Sequence, residues 1–220
     1  MAKGPPTVDR VSVGTSGWSY PTWRPGFYPS GLDPAQFLDF YAGRFRTVEL
    51  NTTGYRLPAE DQFHRWAAQA PGGFEFAPKL PGNRLRGLDV FESRVRALGD
   101  RLGPVRISLT NARDEGALEL LLGSLDPGLR LAFDLVHPSW DGIETRLADA
   151  GAVRVDDLDH PAPFRYLRLR EPPYDDAALR ALARRIGGVA EPVYVYFRHE
   201  DEPTAPAYAQ RLLELLATGA

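Results

Sequence analysis

Eight short runs of β-forming residues, separated by segments of helical periodicity, restrict this chain more than any other feature. The runs are Val11–Val13, Thr47–Asn51, Phe74–Lys79, Val105–Leu109, Arg130–Leu135, Ala152–Asp156, Tyr166–Arg170 and Val193–Phe197. Such alternation marks parallel βαβ units, because a parallel neighbour is reached only through a crossover. Eight strands are the number that closes with side chains filling the interior. The pattern therefore predicts an α/β fold: a single TIM-type (β/α) barrel of eight parallel strands with about seven helices. An open doubly wound sheet is the competing arrangement. A length of 220 residues suits one compact domain spanning residues 1–220, with residues 1–9 expected to be flexible.

The intervening segments carry helix punctuation. Asp33-Pro34 places a capping carboxylate before a proline at the first turn, and Phe37, Leu38, Tyr41 and Phe45 then share one apolar face. Pro58 opens a second helix with Phe63, Trp66 and Ala67, and Val90–Leu98 reads as a third, ending at Gly99. A fourth runs from Glu115 to Leu122 and stops at Gly123; a fifth, with Ser139 as its cap, ends before Gly151. Asp175–Ile186 and Pro206–Leu216 supply the last two. DDLDHPAPF, from Asp156 to Phe164, is too short and too proline-rich for a helix.

Composition narrows the chemistry. With no cysteine, the chain has no disulfide, thiolate zinc site or thiol nucleophile. No run approaches the length of a membrane span, and MAKGPPTVDR lacks a signal-peptide core, so a cytoplasmic protein without a membrane partner is expected. A net charge of −3 lowers the expectation of nucleic-acid binding, which needs a basic face, without excluding a local patch. All 26 basic residues except Lys3 and Lys79 are arginines.

In parallel α/β folds of this kind the working residues sit at the carboxyl ends of the strands. The first run leads into Gly14-Thr15-Ser16-Gly17-Trp18, a tight turn that lacks the spacing of a P-loop or a dinucleotide fingerprint. The second delivers Glu49, Asn51 and Thr52; a carboxylate inside a short hydrophobic strand is costly without a partner. Lys79 closes the third run and is a candidate either for an ion pair with Glu49 or for binding an anion. Asp134 and His137, three apart, follow the fifth, Asp156 and Asp157 the sixth, Arg168, Arg170 and Glu171 the seventh, and Arg198 and His199 the eighth. Trp18, Tyr20, Trp23, Phe27 and Tyr28 read as a buried lid more readily than as a stacking platform.

GTSGWSYPTW, then Phe27–Pro29, then TVELNTT followed by Tyr55-Arg56, resembles the YecE-like family, the domain of unknown function 72. FEFAPK with Lys79, HPSW at His137–Trp140 and YVYF at Tyr194–Phe197 extend the resemblance over most of the chain. It implies a TIM-type barrel and no established activity. The chain departs from the family pattern at Gly54 in place of Phe, at Asp134 and Val136 in a Glu-x-Arg-His motif, at PGNRLRG and SLTNARD, and at Arg170-Glu171 and Arg198-His199.

The residues point first to an enzyme acting on a small polar or anionic substrate. Glu49 or Asp134 would be its general base, His137 a proton shuttle, and Lys79 and Arg170 its anion anchors, Lys79 being counted with the catalytic candidates. Trp18, Asn51, Thr52, Arg170 and Arg198 would bind the small-molecule ligand. One alternative is a metal-dependent phosphodiesterase or nuclease with Glu49, Asp134, His137, Asp156 and His199 as candidate ligands. Another is a non-catalytic metabolite- or protein-binding barrel. The sequence is silent on cofactor and on oligomeric state.

Overall fold

The computed structural model describes residues 10–82 and 85–219, so the expected flexibility of residues 1–9 lies outside the described residues. Its strands are β1 (Val11–Thr15), β2 (Thr47–Leu50), β3 (Glu75–Pro81), β4 (Val105–Leu109), β5 (Leu131–Leu135), β6 (Val153–Arg154), β7 (Arg165–Leu169) and β8 (Val193–Phe197). The α-helices are α1 (Phe37–Ala42), α2 (Glu60–Gln69), α3 (Leu88–Arg96), α4 (Glu115–Ser124), α5 (Glu144–Asp149), α6 (Asp176–Gly187) and α7 (Thr204–Thr218). Each strand is followed by a helix except β6, where the proline-rich stretch runs on to β7.

The caps follow from the side chains. Asp114 accepts the Ala117 N–H at 3.0 Å and Asp175 accepts the Ala178 N–H at 2.8 Å, each satisfying one orphan donor of the helix it opens. Ser139 does not cap α5. It lies in a separate 3₁₀ turn, Pro138–Trp140, and α5 begins five residues later, at Glu144.

All paired strands are parallel, but the expected closed barrel of eight strands requires correction. Backbone pairing yields two sheets, one of order β1-β8-β7 and one of order β2-β3-β4-β5-β6. The ladder fails at two edges, each for a local reason. Between β1 and β2 the Tyr41 hydroxyl accepts the Thr15 N–H at 2.8 Å and donates to the Thr47 carbonyl at 3.1 Å, standing where a strand-to-strand bond would form. The backbones still come close there: a Cβ on Gly14 would lie 2.1 Å from the Thr47 oxygen, so no larger residue fits. Past that point Ser16 and Glu49 form an isolated parallel bridge. Between β6 and β7 the strand is only two residues long, and Asp156 turns the chain away with a φ of 68°. Its N–H then reaches the Tyr166 carbonyl at 2.9 Å.

Both faces of the strands are covered, as parallel sheets demand. In β8, Val193, Val195 and Phe197 join the large core under the helices, while Tyr194 and Tyr196 join a smaller cluster with Ala77, Ala132 and Tyr166. Period-two alternation thus sends successive residues to two different interiors. The aromatic segment after β1 is part of the larger core: Trp23 and Tyr28 are fully buried, and Tyr28 stacks on Phe37 with ring centres 4.0 Å apart. Burying side chains of this size stabilises by about 1.5–3 kcal/mol each.

Candidate functional site

Glu49 leaves β2 fully buried, beside the carboxyl ends of the strands. Burial of an isolated carboxylate would be prohibitive, so its partners decide its state. Arg106 Nε of β4 lies 2.7 Å from Oε2. Arg168 Nε of β7 donates to Oε1 at 3.0 Å, and the Tyr166 hydroxyl donates to Oε2 at 2.8 Å. Burial pushes the Glu49 pKa up, but the two guanidiniums and the tyrosine overcome it and hold it at about 2. Such a carboxylate stays ionised and is a poor proton acceptor near neutral pH.

Arg106 is the centre of the constellation. Besides Glu49 it binds Asp134 Oδ2 at 2.6 Å through Nη1 and Asn51 Oδ1 at 3.3 Å through Nη2. Asp134 in turn accepts Arg170 Nη2 at 2.7 Å on its other oxygen. Arg170 also reaches Asp156, whose carboxylate accepts the Arg168 N–H at 2.6 Å. Burial raises the Asp156 pKa against the pull of Arg170. The chain Glu49–Arg106–Asp134–Arg170–Asp156, with Arg168 attached, joins residues of β2, β4, β5 and β7 and so ties the two sheets together by side chains.

Lys79 of β3 stands beside this network. The ion pair with Glu49 expected as one alternative is not formed; Arg106 and Arg168 occupy the carboxylate instead. Among the described residues no carboxylate lies within ion-pairing distance of the Lys79 ammonium, which sits 5.1 Å from the Tyr55 ring centre. Burial, then the Arg106 charge, pushes its pKa down. The side chain borders a cavity of about 470 Å³ lined also by Tyr55, Ser108, Thr110, Asn111 and Trp140. A second cavity of about 470 Å³ lies across Arg170, between Asp134, Arg154, Asp156 and His160.

The other sequence candidates are placed as follows. Asn51 joins the network through Arg106. Thr52 is exposed; its neighbour Thr53 is buried, donates to the Lys79 carbonyl at 2.8 Å and accepts the Lys79 N–H at 2.8 Å, fixing the lysine's backbone. Trp18 packs edge-on against Trp66 at 5.3 Å and belongs to the core margin. His137 is exposed and does not meet Asp134: its Nδ1 accepts the Ser139 N–H at 3.1 Å, capping the 3₁₀ turn. Arg198 is exposed, held by its backbone N–H to the Leu169 carbonyl at 2.9 Å. His199 stacks on Tyr20 with ring centres 4.5 Å apart and lies 3.2 Å from the Ser16 hydroxyl, its pKa pushed down by burial and the adjacent arginines. No three His, Asp or Glu side chains gather as a metal cluster among the described residues. Sequence reasoning missed Arg106 and Tyr166; the available signal was a charge inside VRISL and a hydroxyl inside RYLRL, both buried strands.

A family model described as "Protein of unknown function DUF72" matches residues 12–220. Among curated relatives, the UPF0759 protein YecE of Escherichia coli K12 is 30% identical over 142 residues, which are 59% of this chain and 50% of that protein. The chain spans about half the length of the curated relatives it matches. A DUF72 family crystal structure from Thermotoga maritima superposes with a TM-score of 0.79 at 24% identity, covering 94% of this chain and 99% of that one. Another from Enterococcus faecalis V583 gives 0.76 at 14% identity, covering 94% and 97%. Likeness at those identities speaks for the fold alone. No helix among the described residues is long and apolar enough to cross a membrane.

Proposed function

Because the chain belongs to the DUF72 family, whose description assigns no function, we propose from its own residues that the carboxyl ends of the strands bind a small anionic molecule, with Lys79 as its charge partner. One observation carries this reading. The carboxylates of the network, Glu49, Asp134 and Asp156, are matched by Arg106, Arg168 and Arg170, three negative charges against three positive. Lys79 is left over from that network, beside a cavity of ligand size; the carboxylate that also lines it, Asp114, accepts the Ala117 N–H as the cap of α4 and does not pair with the lysine. A partly desolvated ammonium without a counter-ion gains most from an arriving anion, and the hydroxyls and amide of Ser108, Thr110 and Asn111 offer hydrogen bonds to orient it.

On this reading Glu49 and Asp134 hold shape, and the roles of base and shuttle first assigned to Glu49, Asp134 and His137 fall away. The test is calorimetric titration of wild type, Lys79→Met and Lys79→Arg with inorganic phosphate and with citrate. Lys79→Met is expected to weaken binding at least ten-fold with a melting temperature within a few degrees of wild type, and Lys79→Arg to restore part of the affinity. Unchanged binding together with a lowered melting temperature would assign Lys79 to the scaffold.

A further inference from the structure

Tyr55 divides the Lys79 cavity from a second, larger groove of about 790 Å³, and lines both. The groove's other lining residues include Arg56, Arg65 and Arg94 with the apolar surfaces of Leu57, Pro58 and Trp66, and no carboxylate. Among the described residues the three guanidiniums use neutral partners or none. Arg65 donates to Gln62 at 2.9 Å, and Arg94 donates to the carbonyls of Leu57 and Pro58 at 3.3 and 3.1 Å. Among the described residues no carboxylate lies within ion-pairing distance of Arg56, Arg65 or Arg94. Elsewhere on the surface the habit is the reverse: Arg96, Arg146 and Arg211, for example, each carry an acidic partner. The acidic residues next in the chain do not line the groove, and Glu60 faces His64 at 3.6 Å. Among the described residues, four cations without an ion-pair partner, counting Lys79, thus line two adjacent cavities that share Tyr55, with Asp114 as the carboxylate on the Lys79 side. Between the two stands that tyrosine's ring, 70% exposed.

We propose that this groove is the binding site of a nucleoside di- or triphosphate. Its phosphates lie along Arg56 and Arg65 and its base lies against Tyr55 and the apolar wall, where the Lys79 ammonium, 5.1 Å from the Tyr55 ring centre, offers hydrogen bonds to the base's acceptor atoms. This goes beyond the anion site and shares with it only Lys79. Several cations spaced along a groove suit a ligand with several charges, because each guanidinium is free to take its own phosphate oxygens. An exposed aromatic ring adds contact with a planar base, which inorganic anions cannot use. The chain's acidic total argued against nucleic acid, but attraction of a small anion depends on the local field.

The experiment is titration of the described protein with adenosine triphosphate, guanosine triphosphate, inorganic pyrophosphate, adenosine, and a single-stranded oligonucleotide of ten residues, at low salt. A triphosphate is expected to bind at least ten-fold more tightly than either pyrophosphate or adenosine. Arg56→Ala with Arg65→Ala is expected to weaken it at least ten-fold with the melting temperature unchanged, and 0.5 M salt to do the same. Tyr55→Ala is expected to abolish the advantage over pyrophosphate. Equal affinity for triphosphate and pyrophosphate, triphosphate binding indifferent to the arginine pair, or binding of the oligonucleotide alone would each overturn the proposal. Triphosphate binding lost in the arginine pair but intact in Lys79→Met would uphold the groove and remove Lys79 from it. Phosphate or citrate binding that needs Lys79 while triphosphate fails to bind would leave the anion site standing and this proposal refuted.

Discussion

Gly54 lies against the aliphatic stem of Lys79, so close that a Cβ at position 54 would come within 2.7 Å of the lysine Cδ. The lysine is therefore aimed into its cavity by the absence of a side chain on the neighbouring turn. Gly54→Ala is expected to push the flexible stem aside and weaken phosphate and citrate binding several-fold. Because a flexible stem yields cheaply, thermal stability should stay within about 1 kcal/mol of wild type. Calorimetry beside thermal melts reads both quantities. Undiminished anion binding would remove this glycine from the account.

Glu49→Gln leaves two buried guanidiniums short of a counter-charge. Breaking a buried pair by removing one partner costs about 3–5 kcal/mol. Urea unfolding should show a loss of that size, and the strain should be shared by both sheets. A general base would behave differently, losing turnover while keeping its stability.

Acid should act on the same residue. The Glu49 carboxyl titrates at about 2 in the folded protein against an ordinary 4.5. Its folded pKa is the lower one, so its stabilisation is complete above about pH 4.5 and lost as pH falls from there towards 2. The total is about 3 kcal/mol, since one pKa unit corresponds to about 1.36 kcal/mol. Stability measured against pH should therefore fall more steeply for wild type than for Glu49→Gln across that window. Parallel curves would contradict the pairing.

His137→Ala is expected to cost about 1 kcal/mol, the usual price of a lost cap, through release of the Ser139 N–H. Anion and triphosphate binding should not change. A loss of binding without loss of stability would return the histidine to the site.

Tyr41→Phe removes the hydroxyl that serves Thr15 and Thr47 and leaves both backbone groups buried without that partner. The expected cost is about 1–3 kcal/mol per orphaned group. Hydrogen exchange should accelerate at Thr15 ahead of the neighbouring strand amides.

The elements were readable because strands and helices leave their own periods in the chain, and YVYF or the apolar face of Phe37, Leu38 and Tyr41 shows that directly. Closure was not readable, because it turns on where one helix residue, Tyr41, meets the two strands that flank it and on how early β6 ends. Glu49 could be singled out as a charge that burial would not tolerate alone. Its partner could not: Lys79 and Arg106 sit on adjacent strands, and only the register that sets Lys79 opposite Arg106 decides which cation reaches the carboxylate. His137 misled because Asp134, three residues earlier, points to Arg106 and Arg170 while the histidine turns back on its own loop.

The carboxylates Glu49, Asp134 and Asp156 and the guanidiniums Arg106, Arg168 and Arg170 are spent on one another. On the proposed reading an approaching anion meets instead Lys79 and the arginines beyond Tyr55. Shape and attraction, which both draw on the same two kinds of charge, are thereby assigned to different residues. Those that fix shape are locked into mutual dependence and change only together. On the proposed reading those that attract stand singly, so exchanging one would alter what the site holds and leave the ion pairs of the scaffold intact.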